Sequence, residues 1–245
     1  MKIAVLGGTG LIGSQVVQIL QAGGHDAAPL SPSSGVDLLT GQGLAQALKG
    51  ADVAVNLTNS PTFDDASVSF FRTTMENLMP AARDGGVGHV VVLSIVGIDE
   101  VPGSAYYRAK LAQEDILKAG SLPYSIVRAT QFFEFIDSVV SSTTDEDTVR
   151  LPATPMQPIA AAEVAQAVAD TATGQPLQGT RNIAGPEVFP LDELGRLTLA
   201  ARGDHRTVVT DPTVGPFAAV PGDAIIAKGD AVLGKTTYRE WLARH

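Results

Sequence analysis

The chain has 245 residues, 44% of them hydrophobic, with no cysteine and a formal charge of −9. That length buries a full core as one large α/β unit, alone or with a small appendage, and the lack of thiols excludes disulfides, Cys-ligated zinc and thiolate catalysis. The acidic balance, with no Lys/Arg cluster against it, argues against nucleic acid as a direct partner.

Ile3, Ala4, Val5 and Leu6 read as a short apolar strand that stops at a glycine cluster. Leu11, Ile12, Val16, Val17 and Leu20 then recur at helical spacing. The pattern is strand, tight turn, helix. Gly7, Gly10 and Gly13 form G-x-x-G-x-x-G, with Gly8 in an intervening place: Gly7 permits the turn, Gly10 lets a phosphate approach bare backbone, and Gly13 lets the helix lie close on the strand. The free amides around Thr9, Leu11, Ile12 and Gly13, helped by the helix dipole, then offer a site for a pyrophosphate.

A second strand over 27–30 ends in Ser31-Pro32-Ser33-Ser34-Gly35. In a nucleotide-binding sheet this position meets the adenosine ribose, where an acidic residue favours NAD and a basic one accommodates the extra phosphate of NADP. Here there is neither. Hydroxyls of Ser31, Ser33 and Ser34 can cradle a 2′-phosphate that no carboxylate repels, so NADP is the preferred cofactor and NAD the alternative; ordinary turn chemistry also accounts for the serines. Asp37 and Leu38, next in the chain, are counted with the cofactor contacts.

A helix over 44–49 and a third strand over 53–57 lead to a polar turn whose Thr58 and Asn59 are expected beside the nucleotide. A long helix follows over 64–83, kinked at Pro80. The run 89–96 is the most strand-like in the chain, apolar on both faces as suits a covered strand, and its first interruption is Ser94. A helix with Tyr106 and Lys110 comes next, then a strand over 124–127 ending at Arg128-Ala129-Thr130-Gln131. Repeated strand–helix–strand alternation indicates a doubly wound, Rossmann-type α/β fold with a parallel sheet over 1–150. The remainder, 151–245, is expected to close over the substrate cleft. Around that boundary lie an aromatic segment (Phe132, Phe133, Phe135) and a polar stretch, 141–148, whose Asp145-Glu146-Asp147 is expected as a solvated loop; beyond it are an alanine-rich helix over 160–173, a strand over 180–184, and helices over 191–202 and 237–243.

Ser94, Tyr106 and Lys110 supply chemistry. Positions i and i+4 share a helix face, so Tyr106 and Lys110 project together, and Ser94 sits at the carboxyl end of a strand, the edge where open α/β sheets bind ligands. Reduction of a carbonyl by hydride leaves negative charge on oxygen that must be protonated. A phenol can do this if a nearby ammonium lowers its pKa; Lys110 is assigned that charge, and Ser94 a hydrogen bond to the substrate oxygen. Singly, each residue also suits a structural role: Tyr106 on an amphipathic helix, Lys110 paired with Glu114, Ser94 bonded to backbone.

With these residues and the runs Leu93-Ser94-Ile95-Val96-Gly97, Tyr106-Tyr107-Arg108-Ala109-Lys110 and Leu122-Pro123-Tyr124-Ser125-Ile126-Val127-Arg128-Ala129-Thr130-Gln131-Phe132, the chain resembles a short-chain dehydrogenase/reductase of the atypical or extended kind, close to the NmrA-like NAD(P)-binding group. The resemblance implies bound NAD(P)(H), a nicotinamide near Ser94, Tyr106, Lys110, Ala129 and Thr130, and a mostly apolar substrate pocket lined by Phe132 and Phe133. It implies an oxidoreductase acting on a carbonyl or quinone; some NmrA-like proteins lack the tyrosine and act as dinucleotide sensors, which is the alternative. The four scattered histidines carry no metal-ligand spacing, so no metal is expected. No apolar run spans a bilayer and no leader pattern opens the chain, so the expectation is a cytoplasmic protein, monomer or homodimer, whose partner is a small-molecule substrate rather than a membrane or nucleic acid.

Overall fold

The computed structural model describes residues 1–245. Its elements run β1 (Lys2–Leu6), α1 (Leu11–Ala22), β2 (Asp26–Leu30), α2 (Leu44–Leu48), β3 (Val53–Asn56), α3 (Ala66–Gly85), β4 (His89–Ile95), α4 (Ala105–Ala119), β5 (Tyr124–Ala129), α5 (Phe133–Ser142), β6 (Thr144–Asp145), β7 (Thr148–Leu151), β8 (Pro155–Met156), α6 (Ala161–Thr173), β9 (Gly179–Ala184), β10 (Phe189–Pro190), α7 (Leu191–Arg202), β11 (Thr207–Thr210), β12 (Val232–Leu233) and α8 (Tyr238–Leu242). No helix is long and apolar enough to cross a membrane.

Seven strands form a parallel sheet in the order β12-β9-β5-β4-β3-β1-β2. β1 pairs with β2 on one side and β3 on the other. The winding therefore reverses at β1, and the crevice outside the carboxyl ends of β1 and β3 is where such sheets take ligands. This is the Rossmann-type doubly wound fold that the alternation predicts.

The chain folds as two compact units, Met1–Arg128 with Ala162–Arg181, and Ala129–Ala161 with Asn182–His245. Where the sequence suggests one boundary at 150, the units are interleaved. In the first unit β1, β3 and β4 are buried on both faces, which explains their apolar runs, whereas the edge strand β2 is partly exposed. Ala4, Leu6, Ala54, Val90 and Val92 share a core with Leu44 and Leu48 of α2, Met75 and Leu78 of α3 and Leu117 of α4. Ile3 and Val5 alternate to the other face, and Val16 and Leu20 of α1 are buried as well. α3 continues through Pro80 to Gly85.

The second unit contains elements that the sequence reading leaves unassigned. The aromatic segment is helix α5, with Phe133, Ile136, Val139 and Val140 buried at helical spacing. Within 141–148 the acidic triplet is solvated as expected, but it turns a hairpin: β6 and β7 pair antiparallel, and β11 adds to β7 in parallel. Val149 and Leu151 alternate inward around exposed Arg150, a half-buried strand pattern, while the acidic triplet Asp145-Glu146-Asp147 supplies only the exposed turn, with Glu146 at φ 49°.

Candidate cofactor and active site

At the first turn each glycine answers to a different neighbour. Gly7 has φ +76°, and a Cβ there would lie 2.9 Å from the carbonyl carbon of Leu57. A Cβ on Gly13 would fall 2.1 Å from the Gly7 oxygen, so α1 can seat on the turn only without one. Gly10 differs: its Cβ would meet only the Gly7 oxygen, at 3.4 Å, and otherwise open space. Gly8 is a fourth requirement that the spacing does not reveal, since a Cβ there would lie 2.6 Å from the Pro29 Cα; the only hint is its place between strand and helix.

Gly10 caps α1 without a side-chain bond, and no acidic residue lies in the first turn. By contrast the Ser104 hydroxyl caps α4 and that of Thr237 caps α8. The Gly10 amide donates to Gly7 O at 3.0 Å and the Ser14 amide to Gly10 O at 3.0 Å; the amides of Leu11, Ile12 and Gly13 between them have no acceptor in the protein. A bare, positively polarised helix end beside backbone that a phosphate can approach fits the diphosphate of a dinucleotide.

After β2 the serines are engaged with one another. Ser31 Oγ and Ser33 Oγ lie 2.8 Å apart, Ser34 Oγ donates to Ser31 O at 2.8 Å, and the Ser31 amide donates to Ser34 Oγ at 2.9 Å. Asp37 accepts the Leu39 amide, and Leu38 is buried. This is turn chemistry that leaves Ser33 and Ser34 exposed.

The loop after β3 joins the glycine turn to α4. Its Leu57 and Thr58 backbone closes on Gly7, the Thr58 hydroxyl donates to Asn56 Oδ1 at 2.7 Å, and Asn59 Oδ1 accepts the Tyr106 phenol. Phe63 packs on the Tyr106 ring at 4.9 Å and Phe71 at 5.9 Å. Arg108 pairs with Asp65 at 3.0 Å, tying the loop to the helix a second time. The structure therefore brings Tyr106 to the loop that lines the glycine turn. Burial pushes its phenol up to about 12, outweighing the hydrogen bond with Asn59, which lowers it.

Lys110 does not act on that phenol. Its ammonium donates to Leu93 O at 2.7 Å and to Gln113 Oε1, over the Phe71 ring at 4.7 Å. The expected lowering of the Tyr106 pKa by Lys110 is corrected accordingly: the lysine is turned onto the strand. Burial lowers the Lys110 pKa to about 7, against the charge of Glu114, which raises it. Below pH 7 both folded and unfolded chains hold this proton; between about 7 and the ordinary 10.5 only the unfolded chain does, so stability rises with pH across that window. Urea titrations at several pH values should give wild type an unfolding free energy that climbs relative to Lys110→Met, by at most about 1.4 kcal/mol per pH unit. Parallel pH dependences in the two proteins would refute the buried titration.

Ser94 is buried, and its hydroxyl, without a hydrogen bond of normal geometry, lies by Glu114, whose carboxyl it helps to keep ionised. The structure brings it to Glu114 and not to Tyr106. Glu114 acts on Lys110 through its charge without an ion pair: it takes Arg128 at 2.7 Å and Lys118 at 2.9 Å, and Arg128 also holds Asp99 through both terminal nitrogens at 2.9 Å. Burial pushes the Glu114 carboxyl up, but the hydrogen bonds from Arg128 and Lys118, with the Ser94 hydroxyl nearby, hold it below the usual carboxylate range.

In the second unit, Ala129 and Thr130 are buried; the Thr130 amide donates to Ile183 O at 3.1 Å, and its hydroxyl has no partner. Phe132 is half-buried at the start of α5. Phe133, expected in a substrate pocket, is instead core: 1% exposed, it packs against Tyr238 at 5.0 Å and Trp241 at 5.7 Å. Burial of a large ring dominates its placement. Two surface hollows of the first unit, about 490 Å³ beside Lys49, Glu76 and Asp84 and about 110 Å³ beside Met79, Arg83 and Leu122, touch none of the expected site residues.

A profile of the family described as NAD(P)H-binding matches residues 7–174. Among solved structures, triphenylmethane reductase from Citrobacter sp., complexed with NADP(H), is 18% identical with TM-score 0.74, over 100% of this chain and 99% of that one. The dTDP-4-dehydrorhamnose reductase of Bacillus anthracis in complex with NADP is 15% identical with TM-score 0.73, over 99% and 97%. MoeE5 in complex with UDP-glucose and NAD is 20% identical with TM-score 0.72, over 99% and 96%. These are likenesses of fold. No curated protein sequence matches the chain.

Proposed function

Because the chain belongs to the NAD(P)H-binding family, with the fold of an atypical, NmrA-like short-chain dehydrogenase/reductase, we propose that it is an NAD(P)H-dependent oxidoreductase that reduces a carbonyl or quinone of a small apolar molecule. One observation carries the reading: the loop whose backbone closes on Gly7 also receives the Tyr106 phenol at Asn59. In this reading the nucleotide turn and the proton donor meet at one loop of the first unit.

In this reading the bound cofactor supplies hydride. The amides of Leu11, Ile12 and Gly13 hold the diphosphate, Gly10 leaves it room, and Thr58 and Asn59 border it. Tyr106 gives the proton to the substrate oxygen. A phenol that stays protonated throughout the neutral range keeps that proton available, although its height also limits how readily it leaves. NADP is the preferred cofactor, because the loop 31–35 carries no carboxylate and exposes the Ser33 and Ser34 hydroxyls. Fluorescence titration should give tighter binding of NADPH than of NADH, and equal affinities would overturn that preference.

The decisive experiment is NADPH oxidation with a panel of ketones, aldehydes and quinones. Tyr106→Phe should lose about 10²- to 10⁴-fold in turnover, the usual worth of a positioned acid, while NADPH affinity stays unchanged. Equal turnover by the variant would remove Tyr106 from its role. One observation favours a second reading, a redox sensor that binds the dinucleotide without turnover: no ammonium faces the phenol, since Lys110 is committed to Leu93 and Gln113. Different affinities for oxidised and reduced cofactor, with no turnover on any substrate, would select it.

A further inference from the structure

The phenol of half-buried Tyr106 meets no cation; it donates to Asn59 Oδ1, in a loop fastened to α4. Phe63 lies against the Tyr106 ring on the loop side and Phe71 on the α3 side, so the ring is held in place and its hydroxyl meets a single polar partner. The Arg108–Asp65 pair, the bond from Ser67 Oγ to Thr62 O at 2.6 Å and the cap of Asp64 on the Ala66 amide hold the loop itself. With Lys110 turned onto Leu93 O, the group ordinarily expected to tune a catalytic phenol is occupied elsewhere.

We propose that Asn59 is the positioning residue for the Tyr106 proton, taking over at this site the tuning that an ammonium would supply. The inference rests on the proposed role of Tyr106. A carboxamide suits the task because it carries an acceptor and a donor on one carbon. Before transfer, Oδ1 accepts the phenol hydrogen and fixes where it lies. As hydride reaches the substrate carbon, the C=O π pair becomes a lone pair on oxygen, which takes the Tyr106 proton; the phenolic O–H bond breaks and both its electrons stay on the tyrosine oxygen. With the amide turned over, Asn59 Nδ2 can donate to that phenolate. Stabilising the charged form lowers the phenol pKa, the direction in which Asn59 opposes burial. The other ionisable groups on the elements packed against Tyr106 are Tyr107, Arg108, Lys110, Glu114, Asp115 and Lys118 of α4, Asp64 and Asp65 of the loop, and Arg72, Glu76, Arg83 and Asp84 of α3. Of these only Tyr107 acts on the phenol, and it raises the pKa; Arg108 is spent on Asp65.

The test reads the phenol directly, without cofactor or substrate. The chain has four tyrosines; incorporation of 3-fluorotyrosine gives each a ¹⁹F resonance and brings phenol ionisation down into a range where the protein is folded, and Tyr106→Phe assigns the resonance of interest. Asn59→Leu should move the Tyr106 midpoint up by about one pH unit, a roughly tenfold gain in proton affinity. Asn59→Asp should move it further, because a carboxylate repels the phenolate, and Asn59→Ser, with a hydroxyl that both donates and accepts, should restore part of the shift. An Asn59→Leu midpoint equal to that of wild type, with folding verified by circular dichroism, would overturn the proposal. Because the titration needs no turnover, an inactive protein with a shifted midpoint would sink the oxidoreductase reading and leave the Asn59–Tyr106 coupling intact. An active protein with an unmoved midpoint would do the reverse.

Discussion

Arg128→Met should cost about 3–5 kcal/mol of unfolding free energy, the usual penalty when one partner of a buried ion pair is removed and the other is left behind. The Glu114 side chain is 0% exposed and that of Arg128 12%, so water cannot replace the guanidinium. Lys118 alone remains on the carboxylate, and it is itself 37% exposed. In wild type the Glu114 pKa lies below its ordinary 4.5, so its contribution is fully present above that value and is lost as pH falls through the depressed one. In the variant the carboxyl is desolvated without its main partner and its pKa rises. The gap between the two proteins is therefore full near neutrality and shrinks on acidification. Guanidinium titrations at pH 7 and pH 4.5 measure both points, and the double variant Arg128→Met/Glu114→Leu should recover much of the loss, since an apolar pair fills the same space without a stranded charge. A deficit under 1 kcal/mol at pH 7, or one that grows on acidification, would contradict this role for the network.

Gly10 and Gly13, one open to the ligand and one structural, should respond in opposite ways to the same added methyl group. Gly13→Ala places a Cβ 2.1 Å from a backbone oxygen that cannot step aside, so α1 must lift off the turn. The expected loss is about 3 kcal/mol or more in stability, at the upper end for overpacking, with dinucleotide binding lost alongside. Gly10→Ala meets its nearest atom at 3.4 Å. Replacing an N-cap glycine with alanine costs only about 1 kcal/mol or less, yet the methyl stands where the diphosphate is proposed to lie. Affinity for NADPH should fall roughly a hundredfold, about 3 kcal/mol. Thermal melts and calorimetric titrations on both proteins separate the effects. A Gly10→Ala protein that binds as wild type does would remove the diphosphate from the first turn.

β1, β3, β4 and β5 are legible in the sequence because burial on both faces gives apolar, β-branched runs, and the edge strand β2 because turn residues bound it; glycine spacing is a direct imprint of backbone approach. Helix α7 shows clear periodicity and an acidic first turn, and its observed bounds, Leu191–Arg202, match those expected. What escapes the sequence is longer in range. Helical phase places Tyr106 and Lys110 on one side of α4, but phase does not say what each side chain finds there, and Lys110 finds a strand carbonyl and a glutamine three residues on. Ser94 is legible as a strand-end hydroxyl; that it faces Glu114 depends on which strand face α4 covers. For Phe133 core is the commoner fate of such a ring, though the resemblance assigns it to a pocket, and the distant Tyr238 and Trp241 make it core. The hairpin β6–β7 is hidden by its charged turn, although Val149 and Leu151 already alternate around Arg150.

The interleaved boundary bears on how the protein is made. Residues 162–181 belong to the unit that begins at Met1, so a ribosome that has released the first 128 residues has not yet supplied all of that unit. Val164, Val168 and Ala172 of α6 are among its fully buried side chains and must emerge before its core is whole. Because domains tend to fold as units during synthesis, the nascent chain has to carry exposed apolar surface past residue 150, and an expression fragment cut at the apparent end of the nucleotide-binding half would be insoluble, whereas one extended through the start of β9 would keep the missing helix.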